Sequence, residues 1–253
     1  MKILVIGDYP IAFSRFATVV SPPPVDLEYV TSGAYDLIVG TLDRLNDLHI
    51  VCGHNERKIP VAFYDGAPDP VDRSDLVRNI CGTVIKYFKR ELLIGQKFAT
   101  PMPDSFPEGD SCAPWDGERS GVWYPGGSGP WKEIITHELE PLTKSTACAL
   151  VGAHWPCSGP GERHHYEQNH FWASVAGGLA MVVQRPFIQI PHGPIEGEHF
   201  QCADQPDELV DKVRALMKRP DRLAWLAEQS HAWFLEHHTD EKRAQYFLQE
   251  CGL

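Results

Sequence analysis

Four short apolar runs in the first third of the chain constrain its fold more than any other feature: Lys2–Gly7 (KILVIG), Tyr35–Gly40 (YDLIVG), Ile59–Tyr64 (IPVAFY) and Thr83–Phe88 (TVIKYF). A strand with one wet face alternates apolar and polar residues. Near-continuous apolar character is instead the mark of a strand covered on both faces, which is the parallel kind. Parallel strands need crossovers of about a dozen residues or more, and the stretches between these runs are long enough to supply them. An alternating βα pattern of this kind is expected to fold as a small doubly wound sheet.

From Ala99 to Gly121 the pattern breaks. Pro101, Pro103, Pro107, Gly109, Pro114 and Gly117 stand among acids with no apolar period, which reads as an interdomain connection or a surface excursion. A second βα series starts at Val122-Trp123-Tyr124 and continues through Ala147–Gly152 to Leu179–Val183. Beyond Pro206, Leu209, Val213, Leu216, Met217, Leu223, Leu226, Ala227 and Phe234 recur at helical spacing, so the tail is expected to be helical and packed. The expected organisation is α/β, with Rossmann-like domains at residues 1–98 and 121–253, a connection at 99–120, and the helical tail in the second domain. Such sheets take ligands beyond the carboxyl ends of their strands, so the active site is expected in a cleft there.

The 23 basic and 34 acidic residues leave a formal charge of −11, which disfavours broad binding to nucleic-acid backbones. The seven cysteines are widely spaced with no Cys-x-x-Cys pair and read as reduced, mostly buried thiols. The apolar run at the N-terminus is too short for a signal peptide, no run reaches membrane-helix length, and no Asn-x-Ser/Thr occurs, so a cytoplasmic location is the expectation. Gly-x-Gly-x-x-Gly after the first strand, Gly-x-x-x-x-Gly-Lys-Ser/Thr, His-Glu-x-x-His and Gly-x-Ser-x-Gly are all missing, which removes the main support for dinucleotide oxidoreductases, P-loop enzymes, zincins and serine hydrolases.

At Tyr124–Lys132 an expected strand gives way to Gly126, Gly127, Ser128 and Gly129 and then to a helical pattern. Backbone N–H groups on such a turn, with Lys132 as counter-charge, could cradle a diphosphate; a tight turn needing positive φ explains the same glycines. Ahead of the paired Gly177-Gly178, Arg163 offers a planar fork to phosphate, and Glu162 or Glu167 could accept from sugar hydroxyls; Asn169 and Trp172 follow. A solvated helix face accounts for these charges equally. The spacing of His154, Cys157, His164 and His165 matches no standard four-ligand metal site. Asp65, just past the third run, and Asp8, just past the first, are the candidate general bases, with an Asp-Gly turn as the plain alternative at Asp65. His192 and Glu196 sit in a polar loop after a strand, available to a ligand.

Three segments, Tyr87-Phe88-Lys89-Arg90-Glu91-Leu92, Asn169 to Val183, and Asp207-Glu208-Leu209 through His238-Thr239 to Arg243, resemble the CgeB-like (spore-maturation-type) glycosyltransferases, a branch of the GT-B superfamily. The resemblance covers about half the chain, mostly its second half. It implies two Rossmann-like domains, a nucleoside diphosphate sugar as co-substrate on the C-terminal domain, a hydroxyl acceptor on the N-terminal one, and no further cofactor. No Asp-x-Asp is present to hold a metal on the diphosphate, in keeping with a metal-independent transfer. At the place where the family carries a ligand-binding Glu, ahead of the small-residue turn, this chain has Trp172. That departure opens a second reading, a non-catalytic nucleotide- or glycan-binding member. A third is transfer to modified DNA bases as in some phage enzymes, against which the acidic balance argues.

Overall fold

The computed structural model describes residues 1–7, 13, 17–20, 34–67, 69, 71–82, 84–90, 92–102, 122–123, 134, 137–139, 149–152, 168–185 and 189–253. The chain divides into two compact units, Met1–Pro103 with Asp240–Leu253, and Asp104–Thr239.

The first unit is built on an all-parallel sheet of β1 (Lys2–Ile6), β2 (Thr18–Val20), β3 (Leu37–Thr41), β4 (Val61–Asp65), β5 (Lys86–Lys89) and β6 (Thr100–Pro101), in the order β2-β1-β3-β4-β5-β6. The four apolar runs are its central strands, displaced by up to three residues at their ends. Because successive side chains face opposite ways, Ile3 and Val5 enter one core with Leu37, Val39 and Phe88, while Leu4 and Ile6 enter the other with Ile38, Val61 and Phe63. Helices α1 (Leu45–Gly53) and α2 (Ser74–Cys81) cover the second face through Leu48, Val51 and Val77. Helix α1 rides so close that a Cβ on Gly40 would meet Leu48 Cδ2 at 2.2 Å, so β3 requires glycine there.

Two edge strands depart from the sequence expectation. β2 is only three residues long, and β6 pairs Thr100 with Phe88 inside the stretch read as a connection. Pro101 is tolerated because an edge strand can spare an N–H. The tail departs too. Helix α6 (Asp240–Glu250) belongs to the first unit, where Ala244, Phe247 and Leu248 close the first face of the sheet. Phe247 stacks on Phe88 at 4.1 Å and meets Phe13 edge-on at 5.2 Å. Lys86 Nζ pairs with Glu250 at 2.6 Å on the same helix. A helix with an apolar stripe at i, i+3, i+4 carries no mark of which sheet it will cover, so periodicity groups α6 with its sequence neighbours while the fold assigns it to the first unit.

The second unit holds β7 (Val122–Trp123), β8 (Ala149–Gly152), β9 (Ala180–Gln184) and β10 (Gln201–Ala203), all parallel in the order β10-β9-β8-β7. Helix α3 (Gln168–Ala176) leads into β9. Leu179 N–H bonds back to Ser174 O at 3.0 Å and Gly178 N–H to Val175 O at 3.0 Å, and Gly178 has φ +67°. This double bond with a left-handed residue is the Schellman stop, which explains why a glycine closes α3. Helices α4 (Pro206–Met217) and α5 (Pro220–His237) pack Leu209, Val213, Leu216, Leu223 and Leu226 onto Ala180, Val182 and Ala203. Both carry proline in the first turn, where its missing N–H costs nothing. Among the described residues no helix is long and apolar enough to cross a membrane.

Candidate functional site

In the first unit the carboxyl ends of β4 and β5 carry a closed knot of charge. The register sets Asp65 opposite Lys89, and both side chains are wholly buried. A carboxylate offers about four lone-pair sites, and four donors occupy those of Asp65. Lys89 Nζ (3.0 Å) and Ala67 N–H (3.0 Å) reach Oδ1; Arg73 Nη1 (3.1 Å) and the Tyr87 hydroxyl (2.7 Å) reach Oδ2. Lys89 spends its other protons on Ala67 O at 3.3 Å and Asp69 Oδ1 at 3.5 Å. Arg73 forks onto Asp69 at 2.8 and 2.7 Å, and this bond, with the nearby charges, holds the Asp69 carboxyl well below the usual carboxylate range. Burial, then the bond to Asp65, pushes the Tyr87 phenol up.

Asp65 therefore sits where the sequence placed it, at the carboxyl end of its strand, in an environment unlike that of a general base. A base must reach the proton it takes, and here every acceptor direction is filled and none faces solvent. The knot instead ties Ala67, Asp69 and Arg73 to the strand ends of β4 and β5. Asp8, the other candidate, lies outside the described residues. It follows Gly7, where φ is +120° and a Cβ would meet Thr41 Oγ1 at 1.6 Å, so the chain leaving β1 runs hard against Thr41.

In the second unit the connections leaving the carboxyl ends of β7, β8 and β9 hold the expected ligand-binding residues. Gly126, Gly127, Ser128, Gly129, Lys132, Arg163 and Glu167 lie outside the described residues, as does the His154, Cys157, His164 and His165 group. Asn169 falls in the first turn of α3. Trp172, one turn on, is fully buried, stacked at 4.8 Å on His238 and 5.7 Å on Trp233. The sequence sets Trp172 among the donor-binding candidates; in the structure its indole packs on Trp233 of α5 and on His238, the residue that follows that helix.

The loop between β9 and β10 is strapped to α5 by three side chains from one face of that helix. Arg222 donates to Gly197 O, Ser230 to His199 O, and Trp233 Nε1 to His192 O at 2.6 Å. His199 stacks on Trp233 at 5.4 Å, and its Nδ1 accepts the Ile195 N–H at 3.0 Å. Burial lowers the His199 pKa. His192 is exposed, stacks on His237 at 4.5 Å, and is held at φ +51°, a conformation non-glycine residues seldom adopt. Glu196 is exposed and bonded to Arg185 Nη1 at 3.0 Å, while Arg185 Nε reaches Asp204 at 2.9 Å. Two of the expected site residues, His192 and Glu196, thus come together on one braced loop. Trp233, His199, Arg222 and Ser230, which do the bracing, carried no signal beyond helical or loop composition. Among the described residues no cluster of three or more His, Cys, Asp or Glu side chains stands close enough to hold a metal ion.

The structure superposes on Anabaena HepE in complex with UDP with a TM-score of 0.58, at 11% identity and over 100% of both chains. An alpha-glucosyltransferase in complex with UDP matches with a TM-score of 0.51 at 9% identity, over 100% of this chain and 91% of that one. TarM matches with a TM-score of 0.53 at 6% identity, over 86% of this chain and 55% of its own. The fold is that of the GT-B glycosyltransferases. Residues 166–249 also match a glycosyl transferase-like family, a stretch that takes in α3, β9, the braced loop and nearly all of α6. No curated protein sequence matches significantly.

Proposed function

We propose that this protein is a glycosyltransferase that moves a hexose or pentose from a nucleoside diphosphate sugar, a UDP sugar foremost, to a hydroxyl acceptor in the cytoplasm without a metal ion, and that it belongs to the CgeB-like branch. The observation that carries the reading is the family match over residues 166–249 on a chain whose whole length superposes on a UDP-bound GT-B structure. Within it the donor diphosphate rests on the Gly126–Gly129 backbone, including Ser128, with Lys132 and Arg163 as counter-charges. Positive groups aimed at charge that develops on the leaving diphosphate are the most effective aid the site can give. Glu167, Asn169, His192 and Glu196 take ribose and sugar hydroxyls. Asp8 takes the acceptor proton, since the four donors on Asp65 leave it no free acceptor direction.

Isothermal calorimetry against UDP, GDP, ADP and TDP sugars, with and without a chelator, tests the reading. Tight binding of one donor, unaffected by chelator and followed by slow donor hydrolysis, is expected; no binding by any of them overturns it. The buried Trp172 favours one competitor, a non-catalytic nucleotide- or glycan-binding member. Binding without any hydrolysis or transfer would decide for that competitor. A DNA acceptor fits poorly with a net charge of −11.

A further inference from the structure

The order β2-β1-β3-β4 makes β1 and β3 neighbours although they are not successive in the chain, and the connections that leave their carboxyl ends part to opposite faces of the sheet. The connection after β1 carries Phe13 into the core of the first face. That after β3 becomes α1, whose Leu48 and Val51 lie in the core of the second. Outgoing connections that diverge from adjacent strand ends leave a crevice between them, and open parallel sheets hold ligands at such a switch point. The pair β3 and β4 has none, because α1 and α2 both lie on the second face. The Asp65 knot, on β4 and β5, therefore stands away from the crevice of this sheet.

Both strands furnish that place. Thr41, the last residue of β3, is buried, and its hydroxyl lies 3.1 Å from Ile6 O at the end of β1. The same hydroxyl donates to Asp43 Oδ1. A Cβ on Gly7 would stand 2.9 Å from that oxygen, so the carboxylate leans from the end of β3 across the end of β1, over a residue whose lack of a side chain leaves the space. Asp43 is exposed, and the adjacent cation in the sequence, Arg44, is paired with Asp47.

We propose that Asp43 is a specificity-determining residue of the first unit, which holds neighbouring hydroxyls of a saccharide acceptor in the crevice between β1 and β3. The acceptor role rests on the function proposed above; the saccharide site itself does not. A carboxylate offers about four lone-pair sites, of which the Thr41 hydroxyl takes one. Its two oxygens side by side receive two adjacent hydroxyls at once, and hydroxyl bonds to an ionised carboxylate are of the stronger, charge-assisted kind. Thr41 fixes the carboxylate in advance, which lowers the cost of ordering it on binding. Asp8, the proposed base, is the next residue after Gly7, so a polyol anchored on Asp43 brings a further hydroxyl to the strand end that Asp8 follows.

The test is amide NMR of the full chain, without nucleotide, titrated with the methyl glycosides of glucose, galactose, mannose and N-acetylglucosamine, and with glucosamine. At least one neutral glycoside should give saturable shifts concentrated at Gly7, Thr41, Asp43 and Arg44. Asp43→Asn keeps an oxygen for the Thr41 hydroxyl but loses the charge, so the same shifts should need roughly tenfold or more saccharide, with donor affinity by calorimetry unchanged. Asp75→Asn, an exposed carboxylate on α2, should leave the titration as it is. Should Asp43→Asn fail to fold, the map on the unaltered chain decides alone. No shift from any neutral glycoside, shifts only elsewhere, a response to glucosamine alone, or an unchanged titration in Asp43→Asn overturns the proposal. Glycoside shifts at the crevice with no nucleotide sugar bound anywhere would remove the function proposed above and leave the saccharide site; nucleotide binding without those shifts would do the reverse.

Discussion

Asp65→Asn separates a structural carboxylate from a catalytic one. The change keeps the side-chain shape and removes the charge, leaving the Lys89 ammonium fully buried with Ala67 O at 3.3 Å and Asp69 Oδ1 at 3.5 Å as its acceptors. Removing one partner of a buried ion pair typically costs about 3–5 kcal/mol, because the other charge is left uncompensated. Asp69 is still within reach and about a third exposed, so the lower end, about 3 kcal/mol, is expected. With a urea m-value of about 2 kcal/mol/M, the midpoint moves down by roughly 1.5 M. Far-ultraviolet circular dichroism follows both units. Tryptophan fluorescence follows only the second, since all seven tryptophans lie within residues 104–239. The loss should therefore be seen by dichroism before fluorescence. Adding Lys89→Met should restore much of it, because it takes away the ammonium that the first change leaves buried without its carboxylate. A general base behaves oppositely: stability nearly unchanged and turnover down by about 10²–10⁴-fold. That outcome, or additive losses in the double variant, refutes the structural assignment.

Burial lowers the pKa of both His199 and His231 below the ordinary 6.5. The unfolded chain therefore takes up protons on these rings at a pH where the folded protein does not. Their contribution is complete above about pH 6.5 and declines as the pH falls below it, by at most about 1.4 kcal/mol per pH unit for each ring. Urea midpoints read by tryptophan fluorescence between pH 7.5 and 5.5 check this, and His231→Phe should flatten the slope; an unchanged slope counts against it. Trp233→Phe keeps a ring against Trp172 and His199 but deletes the bond to His192 O. A loss of about 1 kcal/mol in stability and a several-fold weaker affinity for UDP by calorimetry are expected, and unaltered affinity would separate the loop from donor binding. Phe247→Ala removes the ring between Phe88 and Phe13, costing about 3–5 kcal/mol. Circular dichroism should report it as a loss in the first unit, and a loss seen only by fluorescence would contradict the placement of α6.

The central strands were legible because burial on both faces leaves a direct trace in composition, as in Leu37–Val39 and Val61–Phe63. The edge strands were not: Thr18–Val20 and Thr100–Pro101 are two or three residues long and rest on pairing with a neighbour. The same distinction runs through the candidate site. That Asp65 stands at a strand end follows from the run before it. That Lys89 lies opposite it follows from a register between β4 and β5 that no local pattern encodes. Arg73 stands just before α2 and reads as an ordinary surface charge until the fold returns it to Asp65.

Trp172 and its surroundings explain one another. An ionised Glu at this fully enclosed position, packed on the faces of Trp233 and His238, would lose its hydration, a cost of several kcal/mol. An indole there gains stacking on both and fixes the end of α5. That helix in turn holds Gly197, His199 and His192 by their carbonyls. Under the proposed function the donor contact given up at position 172 passes to the braced loop, whose exposed His192 and Glu196 are positioned by the same stack that excluded the carboxylate. Trp172→Glu should then unfold the brace rather than improve donor affinity, because the ring it removes is the one Trp233 leans on.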